Sequence, residues 1–132
     1  MSNQHLANSD SSPLDLSLFD DLRAERESLP KDFVSSLIDQ VLVEVTARIA
    51  DLKDAEHRQD AAACLRHAHR LKGSAGTVGA HRMATMCEAL ELCGETGDLS
   101  HAALIIAQLE AEFSRVVPAL DRERQREITG ER

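Results

Sequence analysis

The chain has no tryptophan and no tyrosine, and its aromatic residues are Phe19, Phe33 and Phe113 alone. A core without aromatic bulk must be assembled from Leu, Ile, Val and Ala, which favours helices packed on helices. Glycine and proline are scarce, with six and three residues, and no segment alternates apolar and polar residues over the length of a strand. No apolar run approaches the roughly 20 residues of a membrane span. Residues 1–12 are polar and lack the hydrophobic region of a secretory signal. Cys64, Cys87 and Cys93 are odd in number and lack paired-ligand spacing, as expected of reduced thiols in a cytoplasmic protein. At 132 residues the chain is expected to form one domain.

Positive charge is scarce as well: the formal net charge is −8, which argues against a nucleic-acid surface. The exception is the stretch from Ala61 to Cys87. It carries Arg66, Arg70, Lys72 and Arg82 and no acidic residue, so all 23 acidic residues lie outside it. Such an island steers toward an acidic partner or a phosphoryl group.

What is present is helical periodicity. Residues 1–13 read as a disordered leader, and Leu14 to about Arg26 as a short amphipathic helix. Pro30 suits the first turn of a long helix with Phe33 or Val34, Leu37, Val41, Val45, Ile49 and Leu52 on one stripe. The β-branched run from Val41 to Val45 sits inside that period and is read as helix. Asp60 is placed to cap the next helix, which buries Ala61, Leu65, Ala68, Leu71 or Lys72, and Ala75. Gly76 and Gly79 mark its end and a turn. A further helix from about Ala80 to Cys93 turns Met83, Cys87 and Leu90 inward, followed by a Gly94–Gly97 loop. Asp98 or Ser100 would cap the last helix, whose stripe is Ala102, Ile105 or Ile106, Leu109, Phe113, Val116 and Leu120. Pro118 is expected to kink it or remove a hydrogen bond, and residues 121–132 read as a charged tail that frays. The expected architecture is all-α: an antiparallel up-and-down four-helix bundle over residues 14–120, with a short additional N-terminal helix.

One short motif stands out, Ala68-His69-Arg70-Leu71-Lys72-Gly73-Ser74-Ala75-Gly76-Thr77-Val78-Gly79. Positions i, i+3 and i+4 share a helix face, so His69, Lys72 and Gly73 form one patch. On the helical wheel His69 lies roughly 40° round from Leu65, at the border of the apolar stripe. An interior glycine costs a helix roughly 1 kcal/mol against alanine. Here it leaves open backbone beside an imidazole with a cation nearby, which suits access by a bulky anion. A neutral imidazole is a good nucleophile near neutral pH. Its attack on an activated phosphoryl group gives a phosphohistidine that can pass the group onward. Phosphoryl transfer asks for positioning and charge stabilisation more than acid–base work. Lys72 favours the neutral ring and attracts phosphoryl oxygens. Glu91 is a candidate to accept a hydrogen bond from one ring nitrogen, leaving the other free to attack; the other reading is an ordinary boundary glutamate.

The segment Ala68 to Ala75 followed by Gly79-Ala80 resembles the signature of the histidine-containing phosphotransfer (Hpt) domains of bacterial multistep phosphorelays. Asp60, nine residues before the histidine, is similar to a position in many members. Met83, Cys87, Leu90 and Glu91 resemble the family's "L…C…LE" stretch, and Gly97-Asp98 its "GD" before the last helix. The similarity covers about Leu14 to Leu120. The resemblance implies that His69 is the phosphoacceptor, that Lys72, Gly73 and Gly79 support it, and that Glu91 falls near the ring. It also implies a receiver-domain aspartate as donor and acceptor, with Mg²⁺ carried by that receiver and no cofactor on this chain. Members have no kinase or nucleotide site, and no glycine-rich phosphate loop occurs here. Partner contact is expected around His69, through Gly76, Gly79 and a rim of Arg66, Arg70 and Arg82.

The leader and charged tail have no counterpart in the family pattern. Gly76-Thr77-Val78-Gly79 also resembles the N-terminal phosphotransfer domain of chemotaxis histidine kinases. A chain that starts at Met1 and ends without a following domain reads as a free-standing shuttle. A metal site is disfavoured because His67 and His69 point apart on a helix, and His5, His57, His81 and His101 are scattered. A helical adaptor would explain the stripes but not Gly73, the basic island and the boundary histidine together. A dimer like the dimerisation domains of histidine kinases is unnecessary where one chain supplies four helices, so a monomer is expected.

Overall fold

Val34, Ile38, Val41, Val45, Ile49, Leu52 and Ala55 recur at three- and four-residue intervals, and all are buried along one helix. In the computed structural model, which describes residues 12–130, this is helix α2 (Phe33–His57). It follows a short α1 (Ser17–Ala24) and a 3-10 turn (Arg26–Ser28), and precedes α3 (Ala61–Thr77), α4 (His81–Thr96) and α5 (Ala102–Thr129). Helix α2 packs on α3 and α5, and α4 packs on the same two. Consecutive helices are therefore neighbours, and the ring closes as an antiparallel four-helix bundle with α1 as the additional helix. Phe19 is the one aromatic side chain among the described buried core residues, which are otherwise aliphatic or sulfur-bearing, as the aromatic scarcity requires. Of the two candidates in α3, Leu71 takes the buried position and Lys72 stays near the surface. Cys64 and Cys87 are buried; burial raises both thiols, that of Cys87 to about 12, which leaves them as core fillers.

Three sequence expectations need correction. Helix α4 does not end at Cys93 but runs through Gly94 to Thr96, and Gly97 closes it in the left-handed conformation at φ 77°. Gly94 is a contact glycine: a Cβ there would lie 2.7 Å from Leu65 Cβ and 2.8 Å from the Ala61 carbonyl oxygen. Its absence lets α3 and α4 approach closely beneath the site. Neither Asp98 nor Ser100 caps α5; Asp98 instead accepts hydrogen bonds from the amide and hydroxyl of Ser100 in the preceding turn. Phe113 is half-buried and packs against the core as expected, beside the buried Glu112.

The tail is the third. Helix α5 continues through Pro118 to Thr129, because residues 121–129 are anchored rather than fraying. Glu123, only 4% exposed, accepts a hydrogen bond from Arg23 of α1 at 2.6 Å. Glu127 accepts from the amides of Val34 and Ser35, each at 2.9 Å, and from the Ser35 hydroxyl at 2.7 Å. Asp32 makes no side-chain cap, so a carboxylate from the far end of the chain satisfies the first amides of α2. The leader expected at residues 1–13 lies almost wholly outside the described residues.

Candidate functional site

Helix α3 begins at a true cap. The Asp60 carboxylate accepts from the Ala63 amide at 3.0 Å, and that bond holds the carboxyl below its ordinary range. Nine residues on, about two and a half turns, His69 stands 72% exposed on the outer face, where α3 runs beside α4. Glu91 reaches across from α4, its side chain 14% exposed. One of its oxygens, Oε2, lies 2.7 Å from His69 Nδ1, and the other accepts from Lys72 Nζ at 2.7 Å. Burial pushes the Glu91 carboxyl up, but the bonds from Lys72 and His69 outweigh it and hold it below the ordinary glutamate value. The same bond raises Lys72.

These directions fix the roles. An ionised carboxylate only accepts, so Nδ1 of His69 must carry the proton it shares with Glu91. The lone pair of the neutral ring is then on Nε2. The arrangement gives an exposed ring a set tautomer, with an unprotonated nitrogen that can act as a nucleophile and an ammonium group one turn away.

Gly73 and Gly76 continue the exposed face of α3, and a Cβ on either would meet nothing within 4 Å. Internal packing therefore does not demand them; what they provide is clear space beside the ring. Gly79 is different. Its φ of +73° and the 2.3 Å that would separate a Cβ from the Asp15 carbonyl oxygen make it a structural glycine, bonded through its carbonyl to the Asp15 amide at 2.8 Å. Arg66 and Arg70 border the depression around His69, on the side turned toward α2, where Arg70 comes within 3.7 Å of Glu44. Arg82 does not join them. It lies nine residues before Glu91 on α4, roughly 14 Å along the axis and half a turn round. His67 turns toward Asp51 of α2 at 3.7 Å, away from His69. Among the described residues no group of three His, Cys, Asp or Glu side chains is arranged to hold a metal.

Sequence reasoning missed four residues of this surface: Leu65, Glu88, Leu92 and Glu95, which complete the lining of the depression. The signal was available in the spacing, because Glu88, Glu91, Leu92 and Glu95 fall at helical intervals on one face of α4.

The Hpt domain family matches residues 36–119 of the chain. The chain belongs to the Hpt family. Its members are histidine phosphotransfer intermediates of phosphorelays and interact with receiver domains. Among solved structures, histidine-containing phosphotransfer protein B (HptB) from Pseudomonas aeruginosa PAO1 is similar to this Hpt protein. The two superpose with a TM-score of 0.78 at 30% sequence identity, over 88% of this chain and 97% of that one. No curated protein matches the sequence. No helix among the described residues of this Hpt protein is long and apolar enough to cross a membrane.

Proposed function

We propose that His69 is the phosphoacceptor of a cytoplasmic phosphorelay intermediate, taking the phosphoryl group from a receiver-domain aspartate and returning it to another. The observation that carries this reading is the Nδ1 contact with Glu91 at 2.7 Å on an imidazole that is 72% exposed. In the forward step the Nε2 lone pair forms a bond to phosphorus. The acyl phosphate P–O bond breaks, and the aspartate carboxylate leaves with the electron pair. The imidazolium character that develops on the ring is stabilised by Glu91 through the shared Nδ1 proton. Lys72 lies on the path of the incoming phosphoryl oxygens, and its bond to Glu91 can be exchanged for them. Gly73 and Gly76 leave room for the receiver surface to bring its aspartate in line.

The reverse step uses the same geometry, so the chain acts as a carrier, with Mg²⁺ supplied by the receiver and no cofactor of its own. One chain completes the four-helix bundle, which supports a monomer. Incubation with a ³²P-labelled receiver tests the reading: wild type takes up acid-labile, base-stable label, and His69→Gln takes up none. Equal labelling of the two would end it.

A further inference from the structure

The basic island seen in the sequence is only half of the surface in space. Helix α4 sets Glu88 and Glu95 beside the ring on the side opposite Arg66 and Arg70, with His69, Leu65 and Leu92 between the two flanks. Leu92 is 60% exposed, an apolar side chain standing in solvent next to the imidazole. Lys72 and Glu91 neutralise each other across the middle. Arg70 approaches Glu44 at 3.7 Å yet remains 61% exposed, and Arg66, Glu88 and Glu95 form no ion pair among the described residues. Three exposed charges outside any close ion pair, with Arg66 acting on Asp60 and Glu88 on Lys72 only at longer range, are divided by sign about an apolar centre and describe a polarised docking face.

We propose that this face selects its receiver by charge polarity: a partner with an apolar centre, basic side chains over the Glu88/Glu95 flank of α4, and acidic ones over the Arg66/Arg70 flank of α3. The proposal rests on His69 being the phosphoacceptor, since that fixes where the receiver must sit. Opposite charges on two flanks do more than attract. They set one orientation of the partner, because a docking turned end for end brings like charges together on both sides. The chain's overall charge of −8 adds long-range attraction to a basic flank, and rim charges of this kind act mainly on association and are screened by salt.

The probe is the phosphorylated receiver domain that transfers fastest to the wild-type chain. Carbodiimide cross-linking during turnover joins Glu88 or Glu95 to a receiver lysine if the polarity is right. Substituting both glutamates with lysine (Glu88→Lys with Glu95→Lys) then raises KM for that receiver about five- to tenfold, leaves kcat within about twofold and flattens the salt dependence. Reversing the cross-linked receiver lysine to glutamate restores KM for the double variant and raises it for wild type. A KM unchanged within about twofold, or cross-links that avoid both glutamates while transfer proceeds, overturns the proposal. The milder pair Glu88→Gln and Glu95→Gln gives the same direction of effect should the lysine pair fold poorly. His69→Gln, run alongside, separates the two failures: loss of label with an unchanged KM sinks the docking polarity alone, and retained label sinks the phosphoacceptor reading beneath it.

Discussion

Glu91 and His69 face each other from adjacent helices, with Oε2 2.7 Å from Nδ1 and the second carboxylate oxygen held by Lys72. The carboxylate thus fixes a tautomer and an orientation together. Glu91→Ala frees the ring to rotate and removes the counter-charge for the developing imidazolium, so the transfer rate from a saturating receiver falls by about ten- to a hundredfold. Glu91→Gln can still orient the ring through its amide oxygen but carries no charge, so its loss is smaller. Single-turnover kinetics across pH separate the two effects. Equal rates for wild type and Glu91→Ala would leave the residue a bystander.

The same residue sets an acid limit on stability. Its carboxyl titrates in the folded chain below its ordinary value of 4.5. The depressed group therefore contributes stability above that value and loses it as pH falls through the lower folded value. The gap in urea midpoint between wild type and Glu91→Gln is present at pH 7 and closes as the solution is taken below 4.5. A gap that widens on acidification contradicts this.

Two glycines of the motif respond in opposite ways. Gly73→Ala places a methyl group where nothing lies within 4 Å, so it gains helix propensity and stabilises the free chain by about 0.5–1 kcal/mol. Transfer from the receiver nonetheless slows if, as proposed, that space is what the phosphoryl group and its partner use. Gly79→Ala puts a side chain into the left-handed region and against the Asp15 main chain, destabilising by at least about 1–2 kcal/mol. Urea denaturation of both variants, beside their transfer rates, checks the pair. A destabilised Gly73→Ala would assign that glycine to packing.

Charged residues at the end of α5 have an anchoring task. Glu127→Ala removes the acceptor for the first amides of α2 and costs about 1 kcal/mol, as other cap losses do. Glu123→Ala leaves the Arg23 guanidinium, 10% exposed, with only its bond to the more exposed Asp20, and costs up to about 3 kcal/mol. Ending the chain at Leu120 removes both contacts and lowers the thermal midpoint by more than either substitution. A truncated chain as stable as wild type would return this segment to a loose tail.

The apolar stripes of α2, α3 and α4 were legible in the sequence because burial there follows helical period with little interference. The motif was legible too, since an exposed glycine one turn from a boundary histidine contradicts local propensity and needs a reason. The end of α5 was not. Glu123 and Glu127 continue the stripe of Val116 and Leu120, but a carboxylate at a core position reads as surface until its partner is known. Those partners, Arg23 and the first turn of α2, are about a hundred residues away in sequence. Gly94 failed for a related reason, because a helix-contact glycine and a loop glycine look alike until the neighbouring helix is in place. The charge of the site was half read: the basic run on α3 is contiguous, and the acids that oppose it belong to the next helix.

The central claim is a bond between phosphorus and Nε2 of His69, and it can be observed directly. Chain labelled with ¹⁵N at histidine, phosphorylated by its receiver, is read by phosphorus–nitrogen correlation in solution NMR. A single coupling to Nε2 of His69, with Nδ1 still protonated toward Glu91, is the predicted result. A phosphorus coupled to Nδ1, or one lodged on any other residue, contradicts the account.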